Sequence, residues 1–319
     1  MTEAQSPPRA AAPPPTTRRR TWVPSERAIR GLAVASLVSQ VGIVVTGGAV
    51  RLTGSGLGCP EWPRCTADSL GTTPAMGIHG VVEFGNRLMT FLLGAIALAT
   101  LAAVLTTLRS DRPRRDLVVP GAVLLLGIPA QAVIGGMAVW YDLNPWVVML
   151  HFMCSAALIG VATVLVRRAQ RPWGALPDRL GSTWLARLAL IALVATYVAV
   201  YLGTVVTGSG PHAGDPDSPR TGFDVASVTQ IHAHAVALLV GLTVGLYAAA
   251  RAAGSPGRLA GAALVLLGVE LAQGLVGAVQ YVLELPELLV GLHMLGAALL
   301  VAAAVDAWMA SRWLPSVRG

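Results

Sequence analysis

Four histidines of this chain, His79, His151, His232 and His293, fall near one end of long apolar runs. A neutral imidazole offers a lone pair to a metal and a second nitrogen whose hydrogen bond fixes the tautomer. Within hydrocarbon such a polar side chain is costly and is functional by default. Two of them on facing helices of one bundle can ligate a haem iron from both sides. The expected pairs are His79 with His151, and His232 with His293. Zinc fits less well, because the cysteine and carboxylate partners it usually has are not arrayed beside these residues. His234 follows His232 by two residues, about 200° around a helix, so only one of the two faces a site. His232, in Gln-Ile-His, is preferred, and His212 lies in a loop.

A second constellation surrounds His79. Glu83, Asn86 and Arg87 follow it at i+4, i+7 and i+8, one face of a helix. Glu83 reads either as a buried acid–base or as the salt-bridge partner of Arg87. Arg87 and Arg51 are candidates to hold haem propionates by bidentate hydrogen bonds. Cys59 and Cys65, in GCPEWPRC, have five residues between them, two of them prolines. In an oxidising compartment they can close a disulfide, as a structural clip or as a redox-active dithiol. Cys154 reads as an inert core thiol. Glu270 and Asp306 are the other acids inside apolar runs.

The elements that carry these residues are membrane helices. The chain has 319 residues, 54% hydrophobic and 12% charged, with mean hydropathy +0.65. That excludes an ordinary soluble domain. Eight apolar runs, near 28–50, 84–108, 117–140, 146–166, 184–207, 226–250, 259–282 and 288–310, each approach the roughly 20 residues that cross a bilayer. Arginine is the only basic residue besides histidine. It concentrates before the first run, in every second loop and after the last run, leaving Arg51, Arg64 and Arg220 in the opposite loops. The positive-inside rule then puts both termini in the cytoplasm and the histidines near the outer face of a multi-pass membrane protein. The net charge of +7 is spread over five segments and is therefore no nucleic-acid footprint.

The chain also repeats itself. QAVIGGMAVWYDLNPWVVMLH at 131–151 matches QGLVGAVQYVLELPELLVGLH at 273–293, and Gln131/Gln273, Gly135/Gly277 and His151/His293 share an offset of 142 residues (293 minus 151). GGAVRLTGSG at 47–56 resembles GTVVTGSG at 203–210. The expected fold is all-α and integral to the membrane: eight helices as two pseudo-two-fold related four-helix bundles, on an axis along the membrane normal. The expected divisions are a disordered tail at 1–27, an N-terminal bundle at 28–166, a linker at 167–183, a C-terminal bundle at 184–310 and a tail at 311–319. No cleavable leader is expected, since the first apolar run is long and starts late.

These residues resemble the haem A synthase family. The resemblance covers about 28–310 and is carried by GGAVRLTGSGLGCPEWPRC at 47–65, VVEFGNR at 81–87, Leu-His at 150–151, Gln-Ile-His at 230–232 and Leu-His at 292–293. It implies an enzyme that oxidises a ring methyl of haem O to a formyl group, giving haem A for cytochrome c oxidase. It implies a haem b on His232 and His293 in the C-terminal bundle. The substrate haem then lies in the other bundle, flanked by His151 and a helix-2 residue, with Glu83 near the reacting methyl. Haem O synthase, a farnesyltransferase, and the oxidase assembly machinery are the implied partners, and the electron acceptor is not written in any motif. One departure matters: many members read Glu-x-x-His-Arg where this chain has Glu83-Phe84-Gly85-Asn86-Arg87. Asn86 is a poor iron ligand, and His79 lies two turns, about 10 Å, away.

Two other classes compete. A di-haem b electron-transfer cytochrome explains the histidines but gives Glu83 and the cysteine loop no role. A transporter with parallel repeats predicts helices broken near the midplane, for which only Pro120 and Pro129 are available.

Overall fold

The computed structural model describes residues 23–173, 179–180, 182–253 and 257–314. Most of the expected 1–27 tail, part of the linker and the end of the C-terminal tail lie outside the described residues. The architecture is all-helical, with eight helices long and apolar enough to cross a membrane. They are α1 (Glu26–Leu52), α2 (Gly77–Thr107), α3 (Val118–Trp140), α4 (Pro145–Ala169), α5 (Thr183–Ser209), α6 (Val225–Ala252), α7 (Arg258–Val282) and α8 (Glu287–Arg312). The end holding the turns 141–144 and 283–286 is the one predicted to face outward, and is called outer below. Ser25, Asn144 and Asp224 cap α1, α4 and α6 by accepting from backbone N–H groups, which satisfies donors a helix start leaves open. The helix α2 begins seven residues before its apolar run (84 minus 77), and its first three turns hold the polar face of His79, Glu83, Asn86 and Arg87.

Within each half, consecutive helices pack side by side and the fourth closes back on the first, so α1–α4 and α5–α8 are two closed four-helix rings. The rings meet through α4 and α8, flanked by α1 against α8 and α4 against α5. The buried faces of the two halves follow one register. Ile29, Ala33, Ser36, Gln40 and Val44 of α1 match Leu185, Ala189, Ala192, Thr196 and Val200 of α5, an offset of 156 (185 minus 29). Leu93, Ala97, Thr100 and Val104 of α2 match Leu239, Thr243, Leu246 and Ala250 of α6, an offset of 146 (239 minus 93). The last two helices of each half keep 142: Leu158, Ile159 and Ala162 match Leu300, Val301 and Ala304. The apolar cluster between the rings, Val44, Ala156, Ile159, Val200, Ala298 and Val301, maps onto itself under these offsets. Such an arrangement is consistent with a pseudo-two-fold axis along the bundle. The buried residues of the cluster are three valines, two alanines and an isoleucine.

The hairpin turns repeat as well. Asp142 and Leu143 have φ of 50° and 58°, and Glu284 and Leu285, 142 residues on, have φ of 59° and 62°. Leu143 N donates to Ala138 O, and Leu285 N to Gln280 O, each at 2.7 Å. Two successive left-handed residues reverse the chain tightly, at a cost of about 1–3 kcal/mol each where the residue is not glycine. Leu143 offsets this by packing its side chain between Gly56 and Gly214. Helix α3 runs unbroken through Pro129. At the inner end Arg167 of α4 pairs with Asp306 of α8, an ion pair without a counterpart by symmetry. A two-residue antiparallel ladder joins Arg179–Leu180 to Trp313–Leu314, a pairing too short to show as a periodic pattern in the sequence.

The turns generate a prediction. Glu284→Gly should raise stability by up to about 1 kcal/mol, since glycine adopts positive φ without strain. Leu143→Gly should instead lose about 2–5 kcal/mol, because the buried side chain is removed. Thermal melts in detergent separate the two; a stabilised Leu143→Gly would overturn the packing role.

Candidate functional site

Three of the four chosen histidines sit about two turns inside the outer ends of their helices, His151 on α4, His232 on α6 and His293 on α8. Each imidazole lies against a glycine of the preceding helix. A Cβ on Gly135 would stand 3.2 Å from His151 Cε1, one on Gly203 3.2 Å from His232 Cε1, and one on Gly277 3.4 Å from His293 Cε1. An added methyl would press on His151 and His232 and just touch His293. His232 Nδ1 is 3.0 Å from Ala199 O, the geometry in which Nδ1 carries the proton and Nε2 keeps its lone pair. His232 and His293 stand at matching depth on α6 and α8 of the second ring. The Nδ1 atoms of His151 and His293 are buried and find no protein partner, an unusual state for a buried polar atom. His234 points away and is exposed, as the two-residue spacing requires.

His79 is placed differently. It lies in the first turn of α2, is exposed, and its Nδ1 is 2.9 Å from the Ser55 hydroxyl. The residue of α2 that occupies the His232 position is Asn86, by the register of the buried face (232 minus 86 is again 146) and by its neighbour. A Cβ on Gly47, the counterpart of Gly203, would lie 4.0 Å from Asn86 Nδ2. Asn86 Oδ1 accepts from Thr46 Oγ1 at 2.7 Å.

The Cys59–Cys65 disulfide is formed, and both cysteines are fully buried. Its loop is bound to α2 by one ion pair. Glu83, 5% exposed, accepts from Cys59 N at 2.5 Å and pairs with Arg87 through its other oxygen. Arg87 then donates to Cys59 O at 3.1 Å, Glu61 O at 2.9 Å and Arg64 O at 3.0 Å. Glu83 and Arg87 thus adopt the salt bridge weighed above, and the guanidinium is engaged by the cysteine loop. The loop tip Trp62 rests on Gly136 of α3, edge-to-face with Trp140, whose Nε1 donates to Trp62 O. Arg51, the other candidate anion holder, crosses to the second half: it donates to His212 O at 2.5 Å and Thr207 O at 3.2 Å. His212 in turn bonds Leu285 O at 2.9 Å. So His212, which lies in a loop, helps to stitch the outer loops together, a role that only the contact across the two halves exposes.

Deeper in the second ring, Glu270 is 2% exposed, accepts from Thr243 Oγ1 at 2.7 Å, and has a second oxygen without a partner. Gln131 of α3 donates to His151 O and to Ser155, and its counterpart Gln273 packs on Gly296 of α8. These two glutamines tie α3 to α4 and α7 to α8 just below the histidines. Cys154 is a free, partly buried thiol. Among the described residues no group of three or more His, Cys, Asp or Glu stands together to hold a bare metal ion.

A sequence model of the cytochrome oxidase assembly protein family, COX15-CtaA, matches residues 30–305. The chain belongs to this family. The match reaches all eight helices and includes the histidines, Glu83, Asn86, Arg87 and the cysteine pair. Similar proteins include the haem A synthase of Bacillus licheniformis, 27% identical over 184 residues, or 56% of this chain and 59% of that protein. That of Lysinibacillus sphaericus is 27% identical over 60% of this chain and 62% of its own length. That of Bacillus pumilus is 30% identical over 56% and 58%. The chain thus spans somewhat over half the length of each of these relatives.

Arg87→Ala should loosen the cysteine loop without unfolding the bundle. Loss of three charge-assisted hydrogen bonds, each worth about 1.5–3 kcal/mol, should make reduction of the disulfide by dithiothreitol at least about tenfold faster, read by thiol labelling. Arg87→Lys should not restore it, because an ammonium cannot span three carbonyls in the guanidinium plane. An unchanged reduction rate in Arg87→Ala would refute the clamp.

Proposed function

We propose that this chain is a haem A synthase of the bacterial cytoplasmic membrane, oxidising a methyl group of haem O to the formyl group of haem A for cytochrome c oxidase. The observation that carries it is the pair His232 and His293, each set against a matched glycine at one depth of the same four-helix ring, in a chain of the cytochrome oxidase assembly family. The residues fit a haem. A porphyrin supplies four donors of its own, so the iron asks the protein for only one or two more. The lone pair on His232 Nε2 and the unpartnered imidazole of His293 meet that need. Haem bound there supplies a redox-active iron.

In this reading the C-terminal bundle holds haem b on His232 and His293, and the N-terminal bundle receives haem O beside His151, Asn86 and Glu83. His79 stands at its outer rim. The sites lie near the outer face, with both termini cytoplasmic, as the arginine distribution favours. The reaction removes electrons from the methyl in two successive oxidations, and the resulting aldehyde hydrate loses water. Glu83 is the residue for proton transfer or for stabilising positive charge at the reacting carbon. Arg87 orients its carboxylate, and Cys59 N–H holds the other oxygen. Arg51 braces the outer loops around the site. Haem O synthase is the proposed supplier of substrate, and the electron acceptor is a further partner.

The test is a pyridine haemochrome spectrum with haem extraction from the purified protein, made with and without co-expressed haem O synthase. Haem b alone without the partner enzyme, and haem O plus haem A with it, is the expected pair of results. Two haem b per chain in both cases would make the protein a di-haem electron-transfer cytochrome. Glu83→Ala should keep the haem b spectrum and abolish haem A formation; full activity in that variant would remove Glu83 from the chemistry. His293→Ala should lose haem b itself.

A further inference from the structure

The two rings share a register but differ at one position. In the second, α6 carries His232 over Gly203, with its Nδ1 on the Ala199 carbonyl. In the first, α2 carries Asn86 over Gly47. The surroundings have changed with it. Ile43, the counterpart of Ala199 (199 minus 43 is 156), lends its carbonyl to no imidazole; Thr46 Oγ1 stands 3.2 Å from it and 2.7 Å from Asn86 Oδ1. Position 202, the counterpart of Thr46, is a leucine. The Thr46–Asn86 pair is therefore a coordinated replacement for the Leu202–His232 pair. With its oxygen bonded to Thr46, Asn86 has its Nδ2 group free of any protein partner among the described residues.

The fourth helix has not diverged. His151 keeps the Gly135 contact that His293 makes with Gly277, and each has a buried, unpartnered Nδ1. The other candidate for the vacated position is His79. It lies seven residues outward of Asn86, about 10 Å along the helix, and its Nδ1 is bonded to Ser55. The residue after it cannot carry a side chain where Met76 and the Gly58 backbone press on Gly80. The first turn of α2 is thus fastened to the outer loop and cannot lower His79 into the ring.

We propose that the N-terminal ring holds its haem through a single protein ligand, His151, and leaves the opposite axial position to a small exogenous ligand beside the Asn86 amide. The proposal rests on the haem A synthase reading and deepens it: the two haems differ in coordination, one closed by two imidazoles and one open. A weakly donating amide binds iron far less well than imidazole, yet its N–H group can donate to the terminal atom of a bound diatomic or anion. The open position accepts ligands such as carbon monoxide in the ferrous state and cyanide in the ferric state.

The test uses the full chain, purified after co-expression with haem O synthase and loaded with both haems. Electron paramagnetic resonance and carbon monoxide difference spectra are read on the wild type and on four variants. One high-spin haem that binds carbon monoxide and disappears in His151→Ala, beside one low-spin, inert haem that disappears in His293→Ala, is the expected result. Asn86→His should convert the high-spin haem to low spin and abolish carbon monoxide binding. Asn86→Leu should leave the haem high-spin but weaken cyanide binding about tenfold, the worth of one lost hydrogen bond. Two low-spin haems in the wild type would overturn the proposal while leaving two haem sites in place. A protein whose haem content is untouched by His151→Ala would overturn the two-site reading on which it rests.

Discussion

An imidazole lies close against a neighbouring membrane helix most easily where that helix lacks a side chain. Gly135, Gly203 and Gly277 provide that space for His151, His232 and His293, and each glycine sits on the helix that precedes its histidine. The same contact draws the helices close enough for their small residues to interdigitate, which in a membrane replaces the hydrophobic drive that a soluble bundle would use. Packing and chemistry are therefore set by one geometric condition. Just beneath the histidines Gln131 bonds α3 to α4, and Gln273 of α7 packs on Gly296 of α8.

The second organising feature is the ion pair of Glu83 and Arg87. It joins α2 to the disulfide loop: the Glu83 carboxylate accepts from Cys59 N and from Arg87, which itself donates to three carbonyls of that loop. Burying this charge is tolerable because every partner is present: one N–H group, one guanidinium and three carbonyls. Any change that frees the loop alters the surroundings of Glu83 in the same step. The Trp62–Trp140 contact, anchored at Gly136, extends the attachment to α3.

Much of this was legible in the sequence. The eight spans, the 142-residue repeat and the choice of His232 over His234 follow from hydropathy, spacing and the 100° step of a helix. The equivalence of Asn86 with His232 did not, because the first outer loop is longer than the second and shifts the offset from 156 in the first helices to 146 in the second. A repeat search at constant spacing passes over such a match, whereas the buried faces of α2 and α6 show it directly. Arg51 and Arg87 are plain candidates for anion binding by residue type, yet their carbonyl partners lie in loops whose path no periodicity encodes. The paired left-handed residues at 142–143 and 284–285 carry no glycine to signal them.

Arg51 has a consequence for how the chain is made. Its acceptors, the carbonyls of Thr207 and His212, lie 156 and 161 residues further along, and Gly56 N likewise waits for Gly214 O. At translation rates of about 5–20 residues per second, the first half resides in the bilayer for roughly 10–30 s before the groups that complete its outer rim emerge. The N-terminal bundle is thus born unfinished, with a guanidinium facing water, and the last loops to cross the membrane close it.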